Sequence, residues 1–205
     1  MTIVYYKDKA FTIDPEVYEP AEDTFLLADN LDVRDGERVL ELGTGCGLLA
    51  ILAARAGARV VATDISPLAL ACARKNADAH GASDLIDFRL GNLFEPVDGE
   101  KFDLVVFNPP YLPVRNDEAI GDPIDLAWEA GPEGRAVIDP FLEGLSSHLV
   151  EDGRALFVQS SLSNIAKTLL FLRMRDFKVD VVSRKLPFEE LFLIRPIRPA
   201  KLKSG

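Results

Sequence analysis

Short runs of β-branched residues and leucine alternate with longer alanine-rich or amphipathic segments from residue 37 onward. This alternation predicts a parallel β-sheet flanked by helices, because strands that are buried on both faces read as continuous apolar runs. The predicted strands are 37–43, 59–64, 86–91, 102–107, 154–160, 178–184 and 190–196, and the predicted helices are 46–57, 67–80, 134–149 and 163–175.

The segment 134–149 carries an apolar stripe at positions i, i+1, i+4, i+5 and i+8. Residues at this spacing share one face of a helix, so we expect the stripe to pack on the sheet. Its members are Val137, Ile138, Phe141, Leu142 and Leu145.

The last two predicted strands are separated by a short linker that contains Leu186 and Pro187. The linker is too short for a helical crossover, so the two strands should pair in the antiparallel sense. The expected fold is therefore α/β, with a seven-stranded, mostly parallel sheet, an antiparallel C-terminal hairpin and flanking helices. Residues 1–20 lie outside the alternation and are expected to form an extended arm or a small cover.

A chain of 205 residues with 48% hydrophobic and 27% charged residues is typical of one globular domain, which we expect to span 1–205. Cys46 and Cys72 have no second cysteine or histidine at ligand spacing, so no disulfide framework and no metal site are expected. No signal peptide and no membrane-spanning run is recognisable, and we expect a soluble, cytoplasmic protein.

The net charge of −10 opposes broad attraction to nucleic-acid phosphates, although it leaves a local basic groove possible.

The stretch RVLELGTGCGLLAILAA passes from a strand through Gly43, Gly45 and Gly47 into a helix. Glycines allow a sharp turn and let a ligand approach the backbone closely. Asp64 ends the next strand, 21 residues after Gly43, where a carboxylate accepts hydrogen bonds from ribose hydroxyls. Loop and acid together predict a nucleoside cofactor site, whereas either alone is also explained by local turn geometry.

The glycine spacing is G-x-G-x-G and follows Glu41, which differs from the dinucleotide pattern G-x-G-x-x-G. S-adenosylmethionine, with an amino-acid tail and a cationic sulfur, suits this site better than NAD, which stays the alternative. In GNLFEP at 91–96, Asn92 is expected to meet the adenine amino group and Leu93 to pack on the ring. An ordinary turn asparagine is the other explanation of Asn92.

The stretch FNPPY places Asn108, Pro109, Pro110 and Tyr111 directly after a predicted buried strand. The prolines remove two backbone donors and fix φ, and the first of them pushes Asn108 toward an extended conformation. The result is a rigid rim of acceptors that can orient a planar NH2 group, over which Tyr111 would stack. A simple strand terminator is the structural alternative.

LELGTGCG, TDIS and FNPPY together resemble the HemK-type class I methyltransferases, which have a Rossmann-like fold and methylate the glutamine amide of the GGQ motif in translation release factors. VYEPAEDTFLL at 17–27 and AWEAGPEGRAVIDPFL at 127–142 are similar to the flanking motifs of that family. Only 42 residues precede Gly43, which indicates the short archaeal and eukaryotic form. An acid is common in the family at the position of Asn92.

The resemblance implies a small zinc-binding activator subunit as heterodimer partner, docked along the edge strand LIDFRL, and a release factor as substrate. The predicted cofactor-binding residues are Thr24, Glu41, Gly43, Gly45, Asp64, Asn92, Leu93 and Asn108, and the predicted catalytic residues are Asn108, Pro109, Pro110 and Tyr111.

An exocyclic amine of an RNA or DNA base is the alternative substrate, because a cradle of this kind also serves base methylation. The segment 112–135 argues against this substrate, because it has six acidic residues and only two arginines, and its net negative charge would repel phosphates. A cofactor-binding scaffold would not need the NPPY cradle. A dehydrogenase would need a proton relay, and His80 and His148 lie away from the strand ends. Trp128 could line the substrate pocket or cover the core.

Overall fold

A computed structural model describes residues 1–113 and 130–200 of the chain. It contains a seven-stranded sheet covered by helices on both faces, together with a separate two-stranded hairpin. The strands are β1 (Thr2–Tyr6), β2 (Lys9–Ile13), β3 (Arg38–Leu42), β4 (Arg59–Asp64), β5 (Ile86–Leu90), β6 (Phe102–Phe107), β7 (Leu149–Ser160), β8 (Lys178–Lys185) and β9 (Glu190–Ile197), and the helices are α1 (Glu22–Asp29), α2 (Leu48–Arg55), α3 (Pro67–Ala79), α4 (Ile138–His148) and α5 (Ile165–Arg173).

The strand order of the large sheet is β5-β4-β3-β6-β7-β9-β8. The first five strands in this order pair in parallel, whereas β9 pairs antiparallel with both β7 and β8. The predicted mostly parallel sheet and its antiparallel C-terminal hairpin are therefore confirmed. The chain winds outward from β3 in one direction and resumes at β6 in the other, so a crevice opens at the carboxyl ends of β3 and β6.

The apolar stripe predicted on the segment 134–149 faces the sheet. Ile138, Phe141, Leu142 and Leu145 are all buried on α4, and the Phe141 ring lies 5.0 Å from the Phe107 ring and 5.1 Å from the Phe157 ring, between ring centroids. These contacts join α4 to β6 and β7 and fix the position of the strand end that precedes Asn108.

Three elements differ from the sequence prediction. Helix α1 was not predicted, because it is only eight residues long and its N-cap residue, Ala21, makes no side-chain cap hydrogen bond. Helix α4 begins at Ile138 rather than at 134, since Gly134 has φ +67° and ends a turn before the helix. Strand β7 begins at Leu149 rather than at 154, and its register with β6 shifts between Leu149 and Arg154, where Asp152 has φ +58°.

Residues 1–20, expected to form an arm or a cover, contain the β1–β2 hairpin, which packs against α3. Asn76 of α3 pairs with both backbone groups of Thr12, accepting from its N–H at 2.9 Å and donating to its carbonyl at 2.9 Å. The same side-chain NH2 group also donates to the carbonyl oxygen of Cys46 at 2.8 Å. One buried amide thus links the hairpin to the glycine loop.

Within the described ranges, no helix is long and apolar enough to cross a membrane. Cys46 and Cys72 are both buried free cysteines.

Candidate active site

A cavity of about 510 Å³ opens at the carboxyl ends of β3, β4 and β6. This is the size of a small-molecule site, and it lies at the point of the sheet where ligands bind in doubly wound folds. The structure brings all of the predicted site residues to this one cavity. They are Thr24, Glu41, Gly43, Gly45, Asp64, Asn92, Leu93, Asn108, Pro109, Pro110 and Tyr111.

The glycine loop after β3 uses the left-handed conformation three times, with φ of +62° at Gly43, +55° at Gly45 and +85° at Gly47. A Cβ at Gly47 would lie 3.0 Å from the Cβ of Ala73, so a side chain here would be crowded against α3. A Cβ at Gly45 would meet no protein atom within 4 Å. Gly45 therefore combines a conformation that other residues rarely adopt with open space for a ligand.

Asp64, at the end of β4, is buried and holds the loop in place. Its Oδ2 accepts from the backbone N–H of Gly45 at 2.9 Å, and its Oδ1 accepts from the N–H of Ser66 at 2.8 Å. Burial raises the pKa of the Asp64 carboxyl, while these backbone hydrogen bonds act in the opposite direction. Each oxygen keeps a further lone pair, as required for accepting from ribose hydroxyls.

Glu41 is 3% exposed near the end of β3. Its Oε2 accepts from the hydroxyl of Thr44 at 2.6 Å and from the backbone N–H of Ala50 at 3.0 Å. Burial raises the pKa of the Glu41 carboxyl to about 8, and the negative charge of Asp64 adds to this effect. A cation bound beside Glu41 would favour the ionised carboxylate and lower its pKa again.

The turn after β5 forms another wall of the cavity. The backbone N–H of Gly91 donates to the carbonyl oxygen of Asp64 at 3.0 Å, which aligns this turn with the end of β4. Asn92 is exposed at the rim, whereas Leu93 is half-buried and has φ +44°. A left-handed leucine at a cavity wall is a backbone strain of the kind found at ligand sites.

Asn108 follows β6 and has an unequal environment at the two ends of its amide. Its Nδ2 donates to the hydroxyl oxygen of Thr24 at 3.1 Å, while its Oδ1 is buried and has no hydrogen-bond partner among the residues that the structure describes. A buried acceptor without a donor costs free energy, so we expect a donor from a ligand or a water molecule at this atom. A planar NH2 group in the cavity would satisfy it.

Tyr111 is 9% exposed, and its hydroxyl donates to Oδ2 of Asp23 at 2.9 Å. Burial and the adjacent Asp23 raise the pKa of the Tyr111 hydroxyl well above its ordinary value. The tyrosine thus lines the cavity with its ring and is anchored at its hydroxyl end. Its predicted stacking on a planar substrate stays a prediction.

Two cavity residues, Asp23 and Tyr18, were missed by the sequence reasoning. Tyr18 donates its hydroxyl hydrogen to the carboxylate of Asp23, with oxygen distances of 2.9 and 3.0 Å. The available signal was the position of Asp23 directly before Thr24. It was not decisive, because Glu19 and Glu22 in the same acidic stretch are exposed.

The two histidines lie outside the cavity lining. His80 stacks on Phe11 with its Nε2 2.9 Å from the carbonyl oxygen of Ala10, and His148 stacks on Phe94. Arg135 is buried and donates to Asp139 and to the carbonyl oxygen of Ser163, so it is not a free cation at the mouth.

Trp128 and most of the acidic stretch 112–135 fall outside the described residues. Over the parts of the sequence that the structure describes, no group of three or more His, Cys, Asp and Glu side chains is arranged to hold a metal ion.

Residues 19–124 match the methyltransferase small domain family. The chain is 43% identical to a putative protein N5-glutamine methyltransferase of Methanocaldococcus jannaschii, over 91% of this chain and 94% of that protein. It is 34% identical to the methyltransferase HEMK2 of Homo sapiens, over 88% of this chain and 89% of that protein.

Among solved structures, the chain resembles that of the E. cuniculi Mtq2-Trm112 complex, which is responsible for the methylation of the eRF1 translation termination factor. The TM-score is 0.71 and the sequence identity 28%, over 89% of this chain and 99% of the matched chain.

The sheet order, the glycine loop with its acid and the NPPY cradle at one cavity define a class I methyltransferase that uses S-adenosylmethionine. The chain belongs to the methyltransferase small domain family, within its HemK-type branch.

Proposed function

We propose that the protein methylates the side-chain amide nitrogen of glutamine in the GGQ motif of a translation release factor. The observation that carries this proposal is the buried Oδ1 of Asn108, which lies in the same cavity as the glycine loop and has no partner in the described part of the chain. The names of the relatives in Methanocaldococcus jannaschii and the eRF1-methylating complex support it.

One set of cavity residues fits the cofactor, and another set fits the amide that accepts the methyl group. Gly45 leaves open space beside a buried carboxylate, Asp64, which suits a ribose, and Glu41 supplies an acidic group for a cationic portion. Asn108 and the carbonyl groups of the proline segment offer acceptors for two amide hydrogens, because the prolines supply no competing N–H. When bound, S-adenosylmethionine supplies a methyl group on a positively charged sulfur.

The role of this chain is to position the acceptor. An amide held by both of its hydrogens in one plane presents its nitrogen perpendicular to that plane, and positioning of this type contributes roughly 7–11 kcal/mol to such reactions. The N–CH3 bond forms as the S–CH3 bond breaks. The products are N5-methylglutamine, S-adenosylhomocysteine and one proton from the amide.

We further propose that residues 1–205 form one methyltransferase domain and that the protein acts in the cytoplasm, where translation ends. We also propose that a small zinc-binding subunit docks on β5. Support for the docking site comes from β5, which is an edge strand that ends at the exposed Leu90 and is directly preceded by the exposed Leu85. An unpaired strand edge with adjacent apolar surface is a common site for a partner.

The partner is tested by co-expression and affinity capture of such a subunit. Leu90→Lys should prevent capture, whereas Leu170→Lys, at an equally exposed leucine on α5 beside the opposite edge strand, should not. Equal capture by both variants would place the partner elsewhere.

The function is tested with labelled S-adenosylmethionine and a release factor, using the chain purified with the subunit. We expect label on the release factor, no label when the GGQ glutamine is replaced, and no transfer by Asn108→Ala although that variant still binds the cofactor. Absence of label on the unmodified factor, with the cofactor bound, would contradict the proposal, and transfer to RNA in a parallel reaction would support the alternative substrate.

A further inference from the structure

Asp23 in the first turn of α1 is a buried carboxylate at which several hydrogen bonds converge. It is 5% exposed, and it accepts from the hydroxyls of Tyr18, Tyr111 and Thr24 and from the backbone N–H of Thr24. The distances are 2.9 Å for Tyr18 and Tyr111, 3.2 Å for the Thr24 hydroxyl and 2.6 Å for its N–H. Water would solvate an exposed carboxylate, whereas these four protein donors hold the buried Asp23 carboxylate in one position.

The hydrogen bonds of this cluster form one continuous chain when the Thr24 hydroxyl donates to Asp23. A carboxylate accepts hydrogen bonds, so the single hydrogen of the Thr24 hydroxyl points to Asp23. The Thr24 oxygen is then left with lone pairs alone, and it lies 3.1 Å from the Asn108 amide. Only the NH2 end of Asn108 can face it, because the opposite orientation would place two acceptors against each other.

This direction decides what Asn108 presents to the cavity. With its NH2 group held on Thr24, the amide turns its oxygen toward the substrate side, and that oxygen is the buried acceptor for which residues 1–113 and 130–200 offer no donor. A reversed amide would present donors to an incoming NH2 group and would repel it. The orientation of the Asn108 side chain therefore decides whether the cradle can accept a hydrogen bond from a substrate NH2 group.

We propose that Asp23 is a positioning residue that orients the acceptor oxygen of Asn108 through Thr24 and anchors Tyr111 at the other end of the cradle. This inference rests on the proposed function only for the identity of the NH2 group, a glutamine amide. It gives Thr24 a role toward the substrate cradle in addition to its predicted cofactor contact.

The first test compares methyl transfer by Asp23→Asn, Thr24→Val and Thr24→Ser with that of the unchanged chain. Asp23→Asn keeps the size of the side chain but adds a donor, so the order of the hydrogen bonds is lost. We expect kcat to fall about tenfold to a hundredfold in Asp23→Asn and Thr24→Val, with the Kd of S-adenosylmethionine changing less. Thr24→Ser should recover most of the activity that Thr24→Val loses, because it restores the hydroxyl.

A matched control exists on the same helix. The Tyr6 hydroxyl donates to Asp29 at 2.9 Å, at the far end of α1 and away from the cavity. Tyr6→Phe and Tyr111→Phe each remove one hydrogen bond from a tyrosine hydroxyl to an aspartate. Only Tyr111→Phe should lower kcat. Equal effects of the two variants would show that the bonds serve the stability of α1 alone.

The second test observes the amide directly and needs no substrate. In the nitrogen-15 spectrum of the full chain, the Asn108 side-chain NH2 signals are those absent from Asn108→Ala. We expect them to shift and to exchange faster with solvent in Thr24→Val and Asp23→Asn, and to return toward their original positions in Thr24→Ser. Unchanged signals in Thr24→Val would overturn the proposal even where kcat falls.

The two tests separate the inference from the proposed function. A chain that transfers no methyl group to a release factor contradicts the proposed function, while the NH2 signals still decide the orientation of Asn108. If Asp23→Asn does not fold, as judged by thermal unfolding, the Thr24→Val and Thr24→Ser pair decides the outcome alone.

Discussion

Gly134 lies directly against the carbonyl oxygen of Tyr111. A Cβ at position 134 would lie 2.2 Å from that oxygen, which no side chain can occupy. Gly134 also has φ +67°, a conformation that favours glycine. The turn before α4 is therefore the support behind the last residue of the NPPY cradle.

Gly134→Ala should displace Tyr111 and impair methyl transfer. Any L-residue at this φ costs roughly 1–2 kcal/mol, and the contact with Tyr111 adds to that strain. We expect transfer to fall about tenfold to a hundredfold, because small displacements of positioning groups have effects of this size. Labelled transfer and thermal unfolding measure the two consequences.

Gly81→Ala is the control for backbone strain. Gly81 has φ +62°, and a Cβ there would meet nothing within 4 Å. This variant should lose stability by about 1 kcal/mol and keep its activity. Equal transfer by the two variants would show that Gly134 does not support the cradle.

The sheet and the place of the site could be predicted because both depend on the order of apolar runs. Parallel strands end at the same edge of a sheet, so the residues that follow Leu42, Asp64 and Phe107 had to meet. The same logic located the cofactor loop and the NPPY cradle together without any knowledge of side-chain contacts.

Asp23 and α1 could not be predicted in this way, because their positions depend on tertiary contacts. A buried acid has the same sequence appearance as the exposed Glu19 and Glu22 beside it, and the hydroxyls of Tyr18 and Tyr111 stabilise it only after folding. The start of α4 was placed four residues early for a related reason. Helical periodicity continued through Gly134 although its backbone conformation is left-handed.

Asp64→Asn should weaken cofactor binding. The asparagine keeps one acceptor oxygen for the N–H of Gly45 but loses the charge that strengthens hydrogen bonds from a ribose. A hydrogen bond to a charged group contributes about 1.5–3 kcal/mol, so we expect Kd for S-adenosylmethionine to rise about tenfold or more. Titration calorimetry measures the change.

Asp87→Asn is the matched control for Asp64→Asn. Asp87 lies on the neighbouring strand β5, pairs with Arg89 and does not line the cavity. Its substitution should leave Kd unchanged. An unchanged Kd in Asp64→Asn as well would show that Asp64 does not contact the cofactor.

Asn76→Ala should loosen the β1–β2 hairpin. It removes the acceptor of the Thr12 N–H and the amide donor to the Cys46 carbonyl oxygen. The Thr12 carbonyl oxygen also loses this amide donor but keeps the Cys72 thiol. Each buried polar group left unpaired costs about 1–3 kcal/mol, so we expect a loss of about 2–4 kcal/mol in unfolding free energy. Hydrogen exchange in β1 and β2 should accelerate.

Lys75→Ala tests whether any contact between α3 and the hairpin would give that result. Lys75 is the neighbour of Asn76 and reaches the same hairpin through an ion pair with Asp14, at 2.8 Å on the surface. Such pairs contribute little, so exchange in the hairpin should stay close to that of the unchanged chain. Similar exchange in both variants would show that Asn76 does not hold the hairpin.

Glu41 makes the stability of the ligand-free protein dependent on pH. Its pKa is about 8 in the folded chain and 4.5 ordinarily, so between these values the folded state holds a proton that the unfolded state has released. Stability should therefore fall as pH rises from about 4.5 to about 8 and then level off. Glu41→Gln should flatten this slope in urea unfolding, and an unchanged slope would assign it to other groups.

The same carboxyl should make the binding of S-adenosylmethionine dependent on pH. Below about pH 8 the free protein holds the Glu41 proton, and a cation bound beside it favours the carboxylate, so binding releases that proton. Affinity should rise with pH up to about 8. S-adenosylhomocysteine shares the amino acid and the nucleoside but has a neutral sulfur, so its affinity should depend less on pH. Calorimetry of both ligands isolates the effect of the sulfur charge, because pH effects of the shared groups appear in both measurements. Glu41→Gln should remove the difference between the ligands, and a difference that persists in this variant would show that Glu41 does not face the cationic sulfur.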